Sequence, residues 1–271
     1  PDILSALNLV SNRHIIRLLT LISSRIYRFS DSLLISSEGF RSRLRELGVK
    51  DDSIHYFPQW VEDVMESSDI SSTQEYKEIE ALLNEYSHLK KIVFTGNIGE
   101  CQDLPSVLEA IEILKHKNDF VFLIVGSGRE EGRVSRLISD NGLENHVRLL
   151  GRFPVEYMPS FYHFADALLL PLAKDPLFEI TLPGKTQSYL YAGRPIIGFL
   201  DGEGASVLHR SKSAFVCGAG NSNELAEAIE AFCNSSQGEL DELGLSARRY
   251  AEENFRSERV MDTLFEVCGL R

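Results

Sequence analysis

Short continuous apolar runs alternate with amphipathic segments along the last two thirds of the chain. Continuous apolar runs are typical of parallel strands buried on both faces, and apolar residues three or four positions apart indicate helices. The predicted strands are 92–95, 120–125, 147–150, 167–170, 196–200 and 214–216. The predicted helices are 104–115, about 129–141, 155–164, 185–192 and 223–232, with a helical tail over 240–268. This alternation predicts an α/β fold with a doubly wound, Rossmann-like parallel sheet.

The first part of the chain repeats the alternation in shorter form. Its predicted elements are a helix over 8–29, a strand over 32–36, a helix over 38–47 and a strand over 54–57. The first helix also carries four basic residues, Arg13, Arg17, Arg25 and Arg28. A basic amphipathic helix lies on an anionic membrane or simply has a solvated face, and the second is more common. A polar linker is predicted over 67–73, and an acidic helix over 74–86.

Composition narrows the class of protein. The chain has 271 residues, 43% of them hydrophobic, which is enough for one large domain or two modest ones. A net charge of −12 argues against a nucleic-acid surface but not against a nucleotide, because helix N-termini hold phosphates with few cations. No apolar run approaches the ~20 residues that span a bilayer, and no signal peptide is visible. Because the chain begins at Pro1, we expect a piece of a longer protein.

Neither the cysteines nor any common catalytic motif indicates a disulfide, a metal site or a known catalytic mechanism. The four cysteines, Cys101, Cys217, Cys233 and Cys268, are scattered, which indicates idle thiols in a reducing cytoplasm rather than disulfides. The sequence has no HExxH, GxSxG or Walker motif and no metal-ligand spacing. We therefore expect no metal cofactor.

The stretch 178–195, FEITLPGKTQSYLYAGRP, predicts a loop that opens a helix. Pro183 suits the first helical position. The N–H groups of Gly184, Lys185 and Thr186 are then expected to point free at the helix start, where they and the helix dipole favour an anion such as a phosphate. Lys185 adds a full positive charge. The alternative is an ordinary strand–loop–helix unit without a ligand.

Four turns follow predicted strands, where ligands of doubly wound sheets bind. Glycines at these turns let the backbone approach a ligand closely. The turn after 125 is not GxGxxG, because its third glycine falls one residue late, so a nicotinamide site is a weak hypothesis. The four turns contain Gly96, Asn97 and Gly99; Gly126 and Gly128; Arg152 and Phe153; and, in the loop 172–184, Glu179.

Pro-Gly-Lys at 183–185 and Tyr-Leu-Tyr-Ala-Gly-Arg-Pro-Ile at 189–196 resemble the P-S/G-K…E-Y-M-A-x-G-K-P segment of retaining, GT-B-fold glycosyltransferases of family 4 (glycosyl transferases group 1). The resemblance is to the C-terminal donor-binding part of members of the bacterial surface-polysaccharide type. In that family the helix start binds the donor diphosphate, and two acids eight residues apart bind the transferred sugar and the ribose. Here Ser188 and Ile180 fall at those positions, whereas Glu179 and Gln187 lie one residue earlier. The two cations that often assist the first turn are also absent.

The resemblance implies a role for each candidate residue. Glu179 is expected to face the donor sugar, and Lys185 to stabilise the leaving diphosphate, as the catalytic pair. The residues expected to bind the nucleotide sugar are Gly96, Asn97, Gly99, Gly126, Gly128, Arg152, Phe153, Pro183, Gly184, Thr186, Gln187 and Ser188. Among them, the Arg152–Phe153 turn is expected to read the base, and Gln187 or Ser188 to meet the ribose.

The resemblance also implies three parts of the chain. Residues 1–57 would close a truncated N-terminal acceptor-side domain, itself Rossmann-like. Residues 58–255 would form the C-terminal nucleotide-sugar-binding domain, and 256–271 a helix that returns to the N-terminal domain. The catalytic base of the family usually lies in the part that is missing, so this piece is expected to bind and not to catalyse.

The expected function is transfer of a sugar, without a metal, from a nucleotide-sugar donor that is UDP-linked to a lipid-linked or polysaccharide acceptor in surface-glycan synthesis. The expected location is the cytoplasm at the inner face of the plasma membrane, with peripheral membrane contact through the missing domain and no nucleic-acid partner. Two alternatives stay open. One is a sugar-nucleotide epimerase of the same fold, and the other is a nucleotide-sugar-binding module without turnover.

Overall fold

The computed structural model describes residues 12–66 and 70–270. The predictions for residues 8–11 of the first helix and 67–69 of the linker fall outside these ranges. The elements before the main sheet are helix α1 (Arg13–Phe29), strand β1 (Leu33–Ile35), helix α2 (Gly39–Glu46), strand β2 (Ile54–Tyr56) and helix α3 (Gln74–Leu83). Strands β1 and β2 form a small parallel pair, in which Leu33 faces Ile54. These elements confirm the predicted order in this part of the chain.

The main part of the chain alternates strands and helices. Its strands are β3 (Lys90–Thr95), β4 (Phe120–Val125), β5 (Val147–Gly151), β6 (Ala167–Pro171), β7 (Ile196–Phe199) and β8 (Ala214–Cys217). Its helices are α4 (Leu104–Ile113), α5 (Glu131–Asp140), α6 (Met158–Phe164), α7 (Pro176–Glu179), α8 (Thr186–Tyr191), α9 (Gly202–Ser211), α10 (Ser222–Asn234), α11 (Gln237–Asn254) and α12 (Ser257–Val267).

The six strands form one parallel sheet in the order β5-β4-β3-β6-β7-β8. The chain moves outward from β3 to β5, returns to the centre with β6, and then moves outward on the other side. The switch point therefore lies between β3 and β6, which pair only at Ile92–Ala167 and Val93–Leu168. Beyond these pairs the two strands separate toward their carboxyl ends. In doubly wound sheets a crevice of this kind is where ligands bind.

Each face of the sheet is covered by its own apolar layer. One layer combines strand residues with side chains of α4, α5 and α10, such as Leu108, Val134 and Phe232. The other layer packs α3, α6, α8, α9 and α11 against the opposite face, with Phe161 and Tyr189 fully buried. All six residues of β4 are buried, which explains why its apolar run has no polar position. The predicted doubly wound α/β fold is confirmed.

Some predicted elements were wrong in detail. The helix predicted from Lys185 begins at Thr186, and the one predicted from Val155 begins with a 3₁₀ turn and becomes α-helical at Met158. Helix α9 was not predicted, because two glycines in its first turn lower helix propensity. The predicted single helical tail is two helices, α11 and α12, which are separated at Phe255.

The β1–β2 unit contacts the main sheet through the loop between β6 and α8. The Ser37 hydroxyl donates a hydrogen bond of 2.7 Å to the carbonyl of Ile180. The Val61 N–H donates to the carbonyl of Phe255 at 2.9 Å, which ties the connecting segment to the end of α11. The domain boundaries given above remain a prediction. None of the helices in the described part of the chain is both long enough and apolar enough to cross a membrane.

Candidate functional site

Three turns meet at the carboxyl edge of the sheet, next to the switch point. The Gly96 N–H donates to the carbonyl of Val125 at 2.8 Å, and the Gly126 N–H donates to the carbonyl of Gly151 at 2.7 Å. These bonds join the ends of β3, β4 and β5 into one backbone surface. The turns that the sequence singled out separately therefore form one site.

A cavity of about 340 Å³ opens over this surface. Its lining residues are Gly96, Asn97, Val125, Gly126, Ser127, Arg152, Phe153 and Met158. Five of these residues were predicted. Val125, Ser127 and Met158 were not, because neither an apolar side chain nor a single serine near a turn gives a distinct signal. The Phe153 ring is fixed in place by an edge contact with Phe161, with 4.9 Å between ring centroids. The cavity therefore combines exposed backbone, an ordered aromatic ring and the exposed Arg152 side chain.

Glycine is required where these turns cross. At Gly126, where φ is +150°, a Cβ atom would lie 1.8 Å from the carbonyl oxygen of Gly96. At Gly128 a Cβ atom would lie 2.1 Å from the carbonyl oxygen of Ile98, so Gly128 shapes the turn from behind and does not line the cavity. At Gly99, the amide nitrogen of Asn97 occupies the side-chain space, 2.6 Å from where a Cβ atom would be. These glycines are therefore required mainly because other atoms pack closely against their backbone.

Lys185 reaches this surface from the opposite side of the crevice. Its ammonium donates a hydrogen bond of 2.6 Å to the carbonyl of Thr95 and lies 4.0 Å from the centroid of the Phe94 ring. It fills the space in which any side chain at Gly96 would stand, since a Cβ atom there would be 2.7 Å from Nζ. Burial lowers the pKa of Lys185 to about 7. Lys185 is therefore held directly under the first turn, and its pKa lies close to neutral pH.

Helix α8 also contributes a buried tyrosine. The Tyr189 hydroxyl accepts a hydrogen bond of 2.9 Å from the Thr95 N–H. The Tyr162 hydroxyl, from α6, bonds to the Thr95 side-chain hydroxyl at 3.0 Å. Burial raises the pKa of Tyr189 to about 12 and raises the pKa of Tyr162 still further, so both phenols stay neutral. Neither of these contacts was predicted, because they join residues far apart in sequence.

The start of α8 differs from the predicted anion site. The Thr186 N–H is not free, because it donates to the carbonyl of Pro183 at 3.0 Å in a turn. Pro183 precedes the helix by three residues and contacts the first turn of α9, 3.3 Å from where a Cβ of Gly204 would be. Gly184 is exposed, and the side-chain oxygen of Gln59 lies 2.6 Å from where its Cβ would be. A ligand at this turn would therefore meet Gly184 and Gln59.

Three predicted binding residues of α8 are buried: the side chains of Thr186, Gln187 and Ser188 are 0%, 1% and 5% exposed. The Thr186 hydroxyl and the Gln187 side-chain oxygen have no hydrogen-bond partner in the described structure. Buried polar atoms without partners are uncommon and expensive. The roles of Thr186 toward the diphosphate and of Gln187 or Ser188 toward the ribose remain predictions.

Glu179 lies at the end of α7, in the loop between β6 and α8. Asp175 caps α7 by accepting a hydrogen bond of 2.8 Å from the Leu177 N–H, so this part of the loop is ordered by a local helix cap. The Glu179 side chain is exposed, while its carbonyl packs against Gly202, where a Cβ atom would lie 1.9 Å away. The loop thus presents one free carboxylate on a fixed backbone.

A polar cavity of about 410 Å³ lies at the opposite, amino edge of the sheet. Its cations are already engaged. Lys90 donates to the carbonyls of Phe232 and Cys233, at 3.1 and 2.9 Å, and Lys91 pairs with Asp166 at 2.8 Å. These contacts stabilise helix ends and strand ends. Across the described ranges, no group of three or more His, Cys, Asp or Glu side chains is arranged to hold a metal ion.

The strand order, the crevice at the switch point and the glycine turns around a cavity define a doubly wound α/β protein with its candidate site at the carboxyl edge. The profile of the family described as "Glycosyl transferases group 1" matches residues 89–235, which is more than half of the chain. The chain belongs to this family.

Relatives and solved structures agree with this assignment. The chain is 27% identical over 182 residues to the amylovoran biosynthesis glycosyltransferase AmsK of Erwinia amylovora, covering 65% of this chain and 44% of AmsK. Its fold is similar to a glycosyltransferase of Rickettsia africae (TM-score 0.77, 17% identity, 90% of this chain and 65% of that one). It is equally similar to Anabaena HepE in complex with UDP and glucose (TM-score 0.77, 14% identity, 92% and 66%). The chain spans between 39% and 61% of the length of three curated relatives.

Proposed function

We propose that this chain is the donor-binding part of a retaining glycosyltransferase of family 4, which transfers a sugar from a UDP-linked donor to a lipid-linked or polysaccharide acceptor. One observation carries the proposal: Lys185 and three glycine turns converge at the switch point, beside a cavity of about 340 Å³. A cation and an exposed glycine turn at that place suit a diphosphate. The group 1 match favours transfer over an epimerase or a binding module.

The names of similar proteins support the chemical classes. AmsK is named for the biosynthesis of a polysaccharide, amylovoran, and HepE was solved with UDP and glucose. Uracil suits the Arg152–Phe153 end of the cavity, where a flat base would meet an ordered ring and backbone groups. We take surface-glycan synthesis, at the cytoplasmic face of a membrane, as the setting of the whole enzyme.

In the proposed reaction, the bond between the sugar carbon and the diphosphate oxygen breaks, an acceptor hydroxyl oxygen bonds to that carbon, and the hydroxyl proton passes to a base outside the donor-binding part. Negative charge then builds on the leaving diphosphate, where Lys185 and the Gly96 turn lie. Fixed donors and cations stabilise such charge without reorganisation. No metal ion has a part in this step. Glu179, on the ordered loop, would accept hydrogen bonds from the donor sugar, and Gly99, Gly128 and Gly184 would shape the backbone around the diphosphate.

The division into parts belongs to the same proposal. Residues 58–255 would bind the donor, residues 1–57 would end an acceptor-side domain, and 256–271 would return to that domain. The 271-residue chain is then expected to bind donor nucleotides and to show no sugar transfer by itself.

Isothermal titration calorimetry with UDP, GDP and UDP-sugars tests the proposal. Saturable UDP binding is expected, weakened about tenfold or more in Lys185→Ala because a charge contact to phosphate is lost. Lys115→Ala is the matched control, because Lys115 is an exposed lysine just beyond the end of α4, at the amino edge of the sheet, and should leave binding unchanged. Equal UDP affinity in all three proteins, or preferential binding of NAD, would contradict the proposal.

A further inference from the structure

The last residue of β3, Thr95, pairs with Val125 of β4 but has no strand partner on its β6 side, which faces the crevice. Strand β3 pairs with β6 only as far as Val93, and the Gly96 N–H points to β4, where it bonds to Val125. Because backbone groups alternate sides along a strand, the N–H and C=O groups of Thr95 both point toward β6. They are buried, and water is a poor substitute partner there, since Thr95 is only 4% exposed.

Helix α8 supplies both missing partners. The Tyr189 hydroxyl accepts from the Thr95 N–H at 2.9 Å, and the Lys185 ammonium donates to the Thr95 carbonyl at 2.6 Å. Lys185 and Tyr189 are four residues apart, which places them on one face of the helix start. Side chains of α8 thus take the place of a neighbouring strand along Thr95.

Tyr162 offers a natural comparison. It is buried like Tyr189, its ring contacts the Tyr189 ring at 5.4 Å between centroids, and its hydroxyl also reaches Thr95. However, Tyr162 bonds only to the Thr95 side-chain hydroxyl, at 3.0 Å. Only Tyr189 fixes the backbone whose carbonyl holds Lys185.

We infer that Tyr189 is a positioning residue: by holding the Thr95 backbone, it fixes the ammonium of Lys185 under the Gly96 turn at the place where a donor diphosphate binds. This inference rests on the proposed function, because it assigns Tyr189 a role in that same site. A tyrosine with a merely structural role would stabilise the fold without changing how Lys185 meets a ligand.

The test compares Tyr189→Phe with Tyr162→Phe, each of which removes one buried hydroxyl and keeps the ring. UDP affinity is measured by calorimetry from pH 7.0 to 8.5, with Lys185→Ala as reference. Tyr189→Phe should weaken UDP binding roughly tenfold, as expected when one ordinary hydrogen bond no longer holds the site. It should also change the pH dependence of UDP binding, because the carbonyl that accepts from Lys185 is no longer held in place. Tyr162→Phe should change neither quantity.

The groups around Lys185 allow the pH readout to be interpreted. The phenols of Tyr189 and Tyr162, on α8 and α6, bond to the same residue as Lys185, Thr95, and stay neutral in this range. Glu62 in the connecting segment influences Tyr162. No carboxylate contributes to the shift of Lys185 itself, whose cause is burial. A changed pH dependence in Tyr189→Phe therefore reports on Lys185.

The outcomes distinguish the proposed diphosphate site from the positioning role of Tyr189. If Lys185→Ala binds UDP like the wild type, the proposed diphosphate site is wrong, and the positioning role with it. If Lys185→Ala loses binding while the two tyrosine variants behave alike, only the positioning role is overturned.

Hydrogen exchange of the wild-type protein gives a test that needs no variant. The Thr95 amide should exchange as slowly as the strand-paired amides of β3, and fast exchange would also overturn the inference.

Discussion

The half-buried Lys185 predicts that UDP binding weakens as pH rises. Burial lowers the pKa of this lysine to about 7, so the free protein carries the charge in about half of its molecules at pH 7. A bound diphosphate favours the charged form, so binding is coupled to uptake of a proton. If only the charged form binds, apparent affinity should fall roughly tenfold between pH 7.0 and 8.5.

Two features make the range from pH 7.0 to 8.5 suitable for measuring this effect of Lys185. The terminal phosphate of UDP has its second pKa near ~6, so the ligand is fully ionised throughout. Burial, assisted by the charge of Arg194, lowers the pKa of His163, so that imidazole is neutral across the same range. The pH dependence therefore reports mainly on Lys185.

Calorimetry at each pH, in two buffers of different ionisation enthalpy, measures both the affinity and the protons taken up. Above pH 7.5 the uptake should approach one proton per UDP in the wild type and be absent in Lys185→Ala. The reasoning is refuted if affinity is constant from pH 7.0 to 8.5 while Lys185→Ala still binds weakly. It is also refuted if Lys185→Ala keeps the wild-type pH dependence, because another group would then be titrating.

Three further substitutions test the site. Gly126→Ala should abolish UDP binding and lower stability by about 3 kcal/mol or more, because its Cβ overlaps the Gly96 carbonyl. The control Gly132→Ala lies in α5 with open space around it and should stabilise by up to about 1 kcal/mol; thermal melts with UDP titrations compare the two. Arg152→Ala should weaken UDP binding several-fold without changing the melting temperature, since Arg152 is exposed. Asp175→Ala removes the cap of α7, at a cost of about 1 kcal/mol. It should reduce the affinity advantage of UDP-glucose over UDP while UDP itself binds normally; equal losses for both ligands would argue against a sugar-facing loop.

The fold could be predicted because its signals are local. The apolar run of β4 matches the strand at both ends, since a strand buried on both faces tolerates no polar residue. Glycines marked the turns at the carboxyl edge. Helix α9 was missed for the same reason, because glycines near its start counted against a helix that tertiary packing then stabilises through buried Val207 and Leu208.

The site could be predicted only in part, because its decisive contacts join distant residues. The sequence identified Lys185 as a cation near a helix start, but its bond to Thr95 arises from the strand order. Tyr189 matched a family pattern without any reason for its role. Gln59, which covers Gly184, lies in a connecting segment and had no signal at all. The role of a helix start therefore cannot be predicted from its motif alone, because it also depends on which other segments of the chain pack against it.

The loop that carries Glu179 contacts helix α9 on one side and the β1–β2 unit on the other, so movement of that unit affects the loop. On one side its backbone packs on Gly202 of α9, and on the other the Ser37 hydroxyl and Gly39 contact the carbonyl of Ile180. At both glycines a Cβ atom would lie within 2.5 Å of this backbone, so the surfaces meet without room to slide. A rotation of the β1–β2 unit against the sheet must therefore displace the loop. The donor-sugar end of the proposed site is in this way joined to the part of the chain that we propose to be acceptor-side, whereas the base and diphosphate end is built from the turns at the carboxyl edge of the sheet and from helices α6 and α8.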